Sequence, residues 1–238
     1  MKIRLYALIT AFALTGCSLQ TIKQQSADNE SPPIYKQGEF NRESMYELLV
    51  AELAGQQGQF ELAMANYLKQ ARLTRDPNIA ERATRVAQYL RNVEAITEAA
   101  ELWIATDPEN PEPYQISASI LLHQKRYDDA LPLVERALEY DRPRMLAVIR
   151  SQIPEMSADV STGYLSLLDD MLTNNPKQTD LLVTQGLLYK QQGNEDAALG
   201  AFNNALKVDR KNVDAVAQKA ELQRLQGDFR NALITIRP

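Results

Sequence analysis

A spacing of 34 residues governs this chain. Asp107-Pro108, Asp141-Arg142, Asn175-Pro176 and Asp209-Arg210 follow one another at that interval and mark one recurring turn. Between the turns, Tyr114, Ala118 and Leu121 return 68 residues later as Leu182, Gly186 and Tyr189, and Ala130, Val134 and Ala137 return as Ala198, Phe202 and Ala205. Each triple is spaced i, i+4, i+7, so its members share one helical face. The small residue in each triple has a mechanical role: two antiparallel helices approach closely only where a side chain is nearly absent, and larger neighbours fill the space above and below. A two-helix unit of this size cannot bury its apolar face alone and must stack on copies of itself. The composition agrees, with 45% hydrophobic residues, mostly Ala and Leu, and only 7% aromatics, which favours helix over strand.

These residues resemble the tetratricopeptide repeat, a helix–turn–helix unit, and the resemblance implies an all-α fold, a right-handed superhelical array. The clearest copy is Thr179 to Asn212, with Gly186, Tyr189, Gly193, Ala198, Phe202 and Ala205 at the repeat's positions 8, 11, 15, 20, 24 and 27. It departs from the pattern at Glu195, where an aromatic is usual, and at Arg210, where proline is usual. Other copies run from about Ser44 to Thr74, from Asn78 to Ala105 (slightly short in period), from Pro111 to Glu139 and from Val213 onward. Residues 145–176 keep the length but lose the signature: Gln152 and Tyr164 replace small residues and Pro154 interrupts the first helix. About six units are therefore expected over 42–238. The last stops at its position 26, which leaves it incomplete and leaves Leu233 and Ile236 without cover, the sign of a longer array.

Ahead of the repeats, Lys2 and Arg4 precede an apolar run from Leu5 to Leu14. That run is too short to cross a bilayer, which takes about 20 helical residues, and has the anatomy of an export signal over 1–16. Leu14-Thr15-Gly16-Cys17 resembles the lipobox of bacterial lipoproteins, which implies cleavage before Cys17 and lipidation of its thiol and new amino terminus. Cys17 is the sole cysteine, so no intrachain disulfide can form. In such lipoproteins a Ser after the cysteine, here Ser18, goes with sorting to the outer membrane, facing the periplasm. Residues 17–41 are polar, carry Pro32-Pro33 and read as a flexible tether.

The chemistry of catalysis is not in evidence in the sequence. The chain has one histidine, His123, and its only thiol sits at the anchor position, so a nucleophile–base pair has few residues to draw on. No glycine-rich phosphate loop occurs, and no metal or cofactor site is expected. Asp128-Asp129 and Asp169-Asp170 are neighbours on helices, where adjacent side chains point about 100° apart and do not work as a pair. Trp103 reads as core. With 26 basic against 31 acidic residues the net charge is −5, which argues against nucleic acid as a partner.

A stacked array offers a concave surface lined by first helices, suited to a peptide or a partner helix. In tetratricopeptide proteins positions 2, 5, 9, 12 and 13 face it. Carried over, these are Asn78, Glu81, Arg85, Gln88 and Tyr89 in the second unit. They are Glu112, Gln115, Ser119, Leu122 and His123 in the third, and Asp180, Val183, Leu187, Lys190 and Gln191 in the fifth. The stretch from Tyr46 to Gly55, with Thr74-Arg75-Asp76-Pro77 and Glu81-Arg82-Ala83, is more particular. It is similar to the amino-terminal part of a group of gammaproteobacterial outer-membrane tetratricopeptide lipoproteins. One member of that group scaffolds a periplasmic carboxyl-terminal processing protease and brings it peptidoglycan-hydrolase substrates. The resemblance implies a non-catalytic, lipid-anchored adaptor with those protein partners. A pilotin-like envelope assembly factor is the alternative, and an envelope hydrolase is the weakest of the three readings.

Overall fold

The computed structural model describes Gly38 and residues 40–237. The signal peptide expected over 1–16, the lipidation site Cys17 and most of the tether expected over 17–41 lie outside the described residues. Within them the chain forms twelve α-helices and no strand. In chain order these are α1 (Arg42–Gln56), α2 (Phe60–Thr74), α3 (Pro77–Leu90), α4 (Val93–Thr106), α5 (Pro111–His123) and α6 (Tyr127–Tyr140). They continue as α7 (Arg142–Gln152), α8 (Ala158–Asn174), α9 (Thr179–Gln191), α10 (Glu195–Val208), α11 (Val213–Leu225) and α12 (Phe229–Ile236).

Local chemistry starts and stops these helices. The side chains of Asp76, Asn110, Asn194 and Asn212 each accept a hydrogen bond from a first-turn N–H, satisfying donors that no helical carbonyl can reach. Pro77 and Pro111 occupy the first helical position, where their missing N–H costs nothing. Between the two helices of a pair the backbone turns through the left-handed region at Gly58, Gly193 and Gly227, with φ of 75°, 73° and 78°. Arg91 and Lys125 occupy the same turn in the second and third units, with φ of 54° and 60°.

Paired helices cross where side chains are smallest. Ala51 faces Ala63, Ala118 faces Ala130, and Gly186 lies against Phe202; the alanines and Phe202 are fully buried. Each first helix then packs on the second helix of the pair before it, so the apolar side of one hairpin is covered by the next. Trp103 is buried in the amino-terminal cluster with Ala83, Ala87 and Ala99, as its position in the repeat predicts.

The fourth unit departs from this plan. Asp141 ends α6, and its side chain accepts from the N–H of Arg144 to start α7, so the first helix begins three residues earlier than the signature suggests. Pro154 converts its end into a single 3-10 turn, Ile153–Glu155. Tyr164 stands where a repeat places alanine. Its ring is buried with Met145, Ile149, Ile153 and Leu168, and its hydroxyl donates to the carbonyl oxygen of Tyr127 at 2.9 Å. A phenol at the crossing point keeps α7 and α8 from closing into a tight hairpin. The strong contacts of α8 run instead to α6 and α9, and those of α7 to α5, α6 and α9.

Candidate protein-binding groove

The first helices α3, α5 and α7, with the ends of α4 and α6, enclose a cleft of about 330 Å³. Its walls bring together five residues predicted for the groove: Arg85 and Gln88 of α3, and Glu112, Gln115 and Ser119 of α5. Helical spacing explains the grouping, since 85 and 88, and 112, 115 and 119, are three or four apart and project from one face.

Arg85 is fixed from three sides. Its guanidinium reaches Glu112 at 2.6 Å and Glu81 at 3.3 Å, and its central carbon lies 5.6 Å from the centre of the Trp103 ring. Hydrogen bonding to Glu112, the stronger influence, and then to Glu81 raises its pKa further above the ordinary arginine value. Tyr140 closes the cleft beside Glu112, and burial, followed by that carboxylate, pushes its phenol up. Arg144, also on the wall, forms no ion pair among the described residues. Gln115 is buried, and its Nε2 has no hydrogen-bond partner among the described residues. The cleft thus offers the Arg144 guanidinium, outside any ion pair among the described residues, together with amide and hydroxyl groups, a carboxylate, and apolar patches from Ile96, Ile116 and Ile120. That set suits hydrogen bonding to a polypeptide with an acidic side chain.

The other predicted groove residues do not join this cleft. Asn78 is engaged at the start of α3, its backbone N–H and side-chain amide both donating to Asp76. Tyr89 packs against Phe60 with ring centres 4.5 Å apart and the ring planes tilted by 53°. His123 is exposed, and its Nδ1 lies 2.7 Å from the carbonyl oxygen of Ser119, which can only accept, so the proton sits on Nδ1. Leu122 and Val183 are corrected from groove to core. Leu122 is fully buried in the central cluster, and Val183 is covered by Ala215 of the next hairpin. Both are apolar, and stacking of successive units seals the positions they occupy.

In the fifth unit, the Asp180 carbonyl accepts from Arg150 at 2.7 Å and Lys190 donates to Gln218 at 3.1 Å. Gln191 donates to the carbonyls of Pro154 and Met156 at 3.4 Å, and Leu187 is half-buried between clusters. Sequence reasoning missed Tyr140, Arg144 and Arg150 because the repeat register fails in the fourth unit. The signal available there was Asp141, which recurs with the other turns and fixes where α7 begins. Asp128, Asp129, Asp169 and Asp170 are all exposed.

A tetratricopeptide repeat family model matches residues 179–212. The chain is 32% identical over 204 residues to the TPR repeat-containing protein PA4667 of Pseudomonas aeruginosa, covering 81% of this chain and 34% of that one. It is 24% identical over 160 residues to BBSome complex member BBS4 of Bos taurus, covering 66% and 31%. The chain therefore spans about a third of the length of these curated relatives. Among solved structures it resembles YrrB, a TPR protein with an unusual peptide-binding site, at 19% identity, 74% and 91% coverage and a TM-score of 0.47. It also resembles PilW, a type IV pilus biogenesis factor, at 13% identity, 82% and 91% coverage and a TM-score of 0.48. The chain is a tetratricopeptide-repeat protein, homologous to PA4667 of Pseudomonas.

Proposed function

We propose that this protein is a non-catalytic scaffold held at the periplasmic face of the outer membrane by lipid on Cys17. Its first-helix groove engages a carboxyl-terminal processing protease and the peptidoglycan hydrolases that the protease cleaves. The observation that carries the reading is the cleft around Arg85, Glu112, Gln115, Tyr140 and Arg144. It is built by three successive hairpins, is polar enough to orient a polypeptide, and presents Arg144, which is in no ion pair among the described residues. The lipobox-like residues ending at Cys17 and the motif from Tyr46 to Ala83 support the location and the partner class. A scaffold of this kind acts by raising the effective concentration of enzyme and substrate beside the envelope.

The test is affinity capture from envelope extracts with the full chain, compared with Cys17→Ala and with an Arg144→Glu variant. The expected result is recovery of the processing protease or a cell-wall hydrolase by the wild type. Recovery falls about tenfold for Arg144→Glu, the size of effect that losing one charged hydrogen bond produces. Cys17→Ala shifts the protein out of the membrane fraction. Absence of any such enzyme from the wild-type capture overturns the partner assignment.

A further inference from the structure

Second helices of neighbouring units touch where α2 meets α4 and where α6 meets α8, but α4 and α6 make no comparable contact. Between them, with α5 as the third wall, lies a cavity of about 340 Å³. That volume falls in the range of small-molecule sites, about 300–1,000 Å³. Glu101, Ile104 and Ala105 line it from α4, and Ser117, Ile120 and Leu121 line it from α5. Both trios are spaced i, i+3, i+4, so each lies on one face of its helix. Leu133 of α6 completes the wall. The cavity is distinct from the cleft around Arg85, with which it shares only Ile120.

The walls are aliphatic and incompletely covered: Ile104, Ile120, Leu121 and Leu133 are all half-buried. Ile120 packs on the amino-terminal core cluster, Leu121 and Leu133 on the central one, so the cavity opens where two cores adjoin and neither fills the space. Two polar groups of the lining have unmet needs. Ser117 is only 6% exposed, and its Oγ has no hydrogen-bond partner among the described residues; a buried hydroxyl left in that state is costly. Glu101 is exposed and is in no ion pair among the described residues. The other polar lining residues are engaged. The Thr97 hydroxyl donates to the Val93 carbonyl at 2.9 Å, and Arg126 pairs with Asp129 at 2.8 Å.

We infer that this cavity binds a small aliphatic amine that carries a hydroxyl group, as a linear amino alcohol does. Its chain displaces solvent from the isoleucine and leucine walls. Its ammonium group pairs with the exposed carboxylate of Glu101, and its hydroxyl completes the hydrogen bonding of the buried Ser117. A ligand with a carboxylate in place of the amine meets Glu101 as a like charge and is rejected. Because the walls belong to two core clusters, the bound molecule joins the second unit to the third. The site stands apart from the proposed partners and from the anchor.

Calorimetric titration of the full chain with linear amino alcohols, from 4-aminobutanol to 8-aminooctanol, tests it. The alkylamine, the plain alcohol and the hydroxy acid of each length are the controls. At least one length is expected to bind saturably at a single site, with the methyl resonances of Ile120, Leu121 and Leu133 shifting as it does. Loss of the ligand's hydroxyl weakens binding about fivefold and loss of its amine about tenfold, and the hydroxy acid does not bind. Ser117→Ala removes a hydroxyl without a partner, so the fold is kept; this variant takes the amino alcohol and the alkylamine equally well. Glu101→Gln loses the preference for the amine over the plain alcohol. Ala105→Phe, at an exposed position of the lining, fills the space and abolishes binding with helical signal unchanged. Any of four results overturns the proposal: no saturable binding by any member of the series, equal affinity for the hydroxy acid, unchanged selectivity in Ser117→Ala or Glu101→Gln, or undiminished binding by Ala105→Phe.

Discussion

The guanidinium of Arg150 donates through Nε to the hydroxyl of Thr184 at 2.8 Å, joining α7 to α9 across one full repeat. The same side chain donates to the Asp180 carbonyl at 2.7 Å and reaches Asp214 of α11 at 3.4 Å. One arginine therefore ties together the first helices of three successive units, two of them through partly buried contacts. Hydrogen bonds to a charged donor are worth about 1.5–3 kcal/mol. Arg150→Met, which keeps the apolar stem, is expected to lower unfolding stability by about 2 kcal/mol, read from the urea midpoint. Arg150→Lys recovers little, because an ammonium cannot span the fork.

Gly186 leaves no room for a methyl group. A Cβ there would lie 2.7 and 2.8 Å from Cδ1 and Cζ of Phe202, whose ring is fully buried. The ring cannot retreat into a packed core, so Gly186→Ala is expected to cost about 1–3 kcal/mol. Phe202→Leu should be less damaging in that background than alone. A double-mutant cycle in denaturant measures the coupling, and additive costs would contradict the contact.

The turns offer the opposite change. Arg91 and Lys125 adopt the left-handed conformation that glycine supplies at Gly58, Gly193 and Gly227. A side chain pays about 1 kcal/mol there, partly offset by the extra freedom glycine has when unfolded. Arg91→Gly and Lys125→Gly are each expected to raise the melting temperature, by a gain of a few tenths to about 1 kcal/mol. Lys125 gives up its pair with Glu155 at 3.0 Å, but both groups are exposed and the loss is small. Gly193→Ala moves the melting temperature down.

Alkaline unfolding reports on Tyr164. Burial raises its phenol above the ordinary tyrosine value, with Asp128 adding to the effect. The folded chain keeps this proton where the unfolded chain has released it. The contribution to stability is therefore complete below the unfolded pKa of about 10 and falls as pH rises beyond it. Tyr164→Phe loses the hydrogen bond to Tyr127, about 1 kcal/mol at neutral pH, and shows a shallower loss above pH ~10. Tyr67, also raised by burial, accounts for part of the remaining slope. Denaturant titrations across that range are the measurement.

Acid works through Glu98. Arg72 of α2 donates two hydrogen bonds to this carboxylate on α4, one at 2.7 Å, and holds it below the usual carboxylate range. Its contribution is present above the unfolded pKa of about 4.3 and disappears as pH falls through the folded value. Arg72 is exposed and Glu98 partly so, and solvent screening keeps the effect under about 1 kcal/mol. Wild type and Glu98→Gln should differ in stability at pH 7 and converge in strong acid.

Much of this molecule was legible before folding. The 34-residue interval, the small residues at 118, 130 and 186, and the capping Asp and Asn side chains are short-range features. They fix where helices begin, where they turn and which faces meet inside a pair, because those contacts lie within one unit. The tertiary structure alone decided what happens between units. It buried Leu122 and Val183, which the repeat's positions assign to the groove, and it gathered Arg85, Glu112, Tyr140 and Arg144 into one cleft. It also placed Tyr164 where α7 and α8 would otherwise close. Burial between hairpins depends on the volume and angle of the neighbouring unit, so an irregular fourth unit redirects contacts that no periodicity within a single repeat encodes.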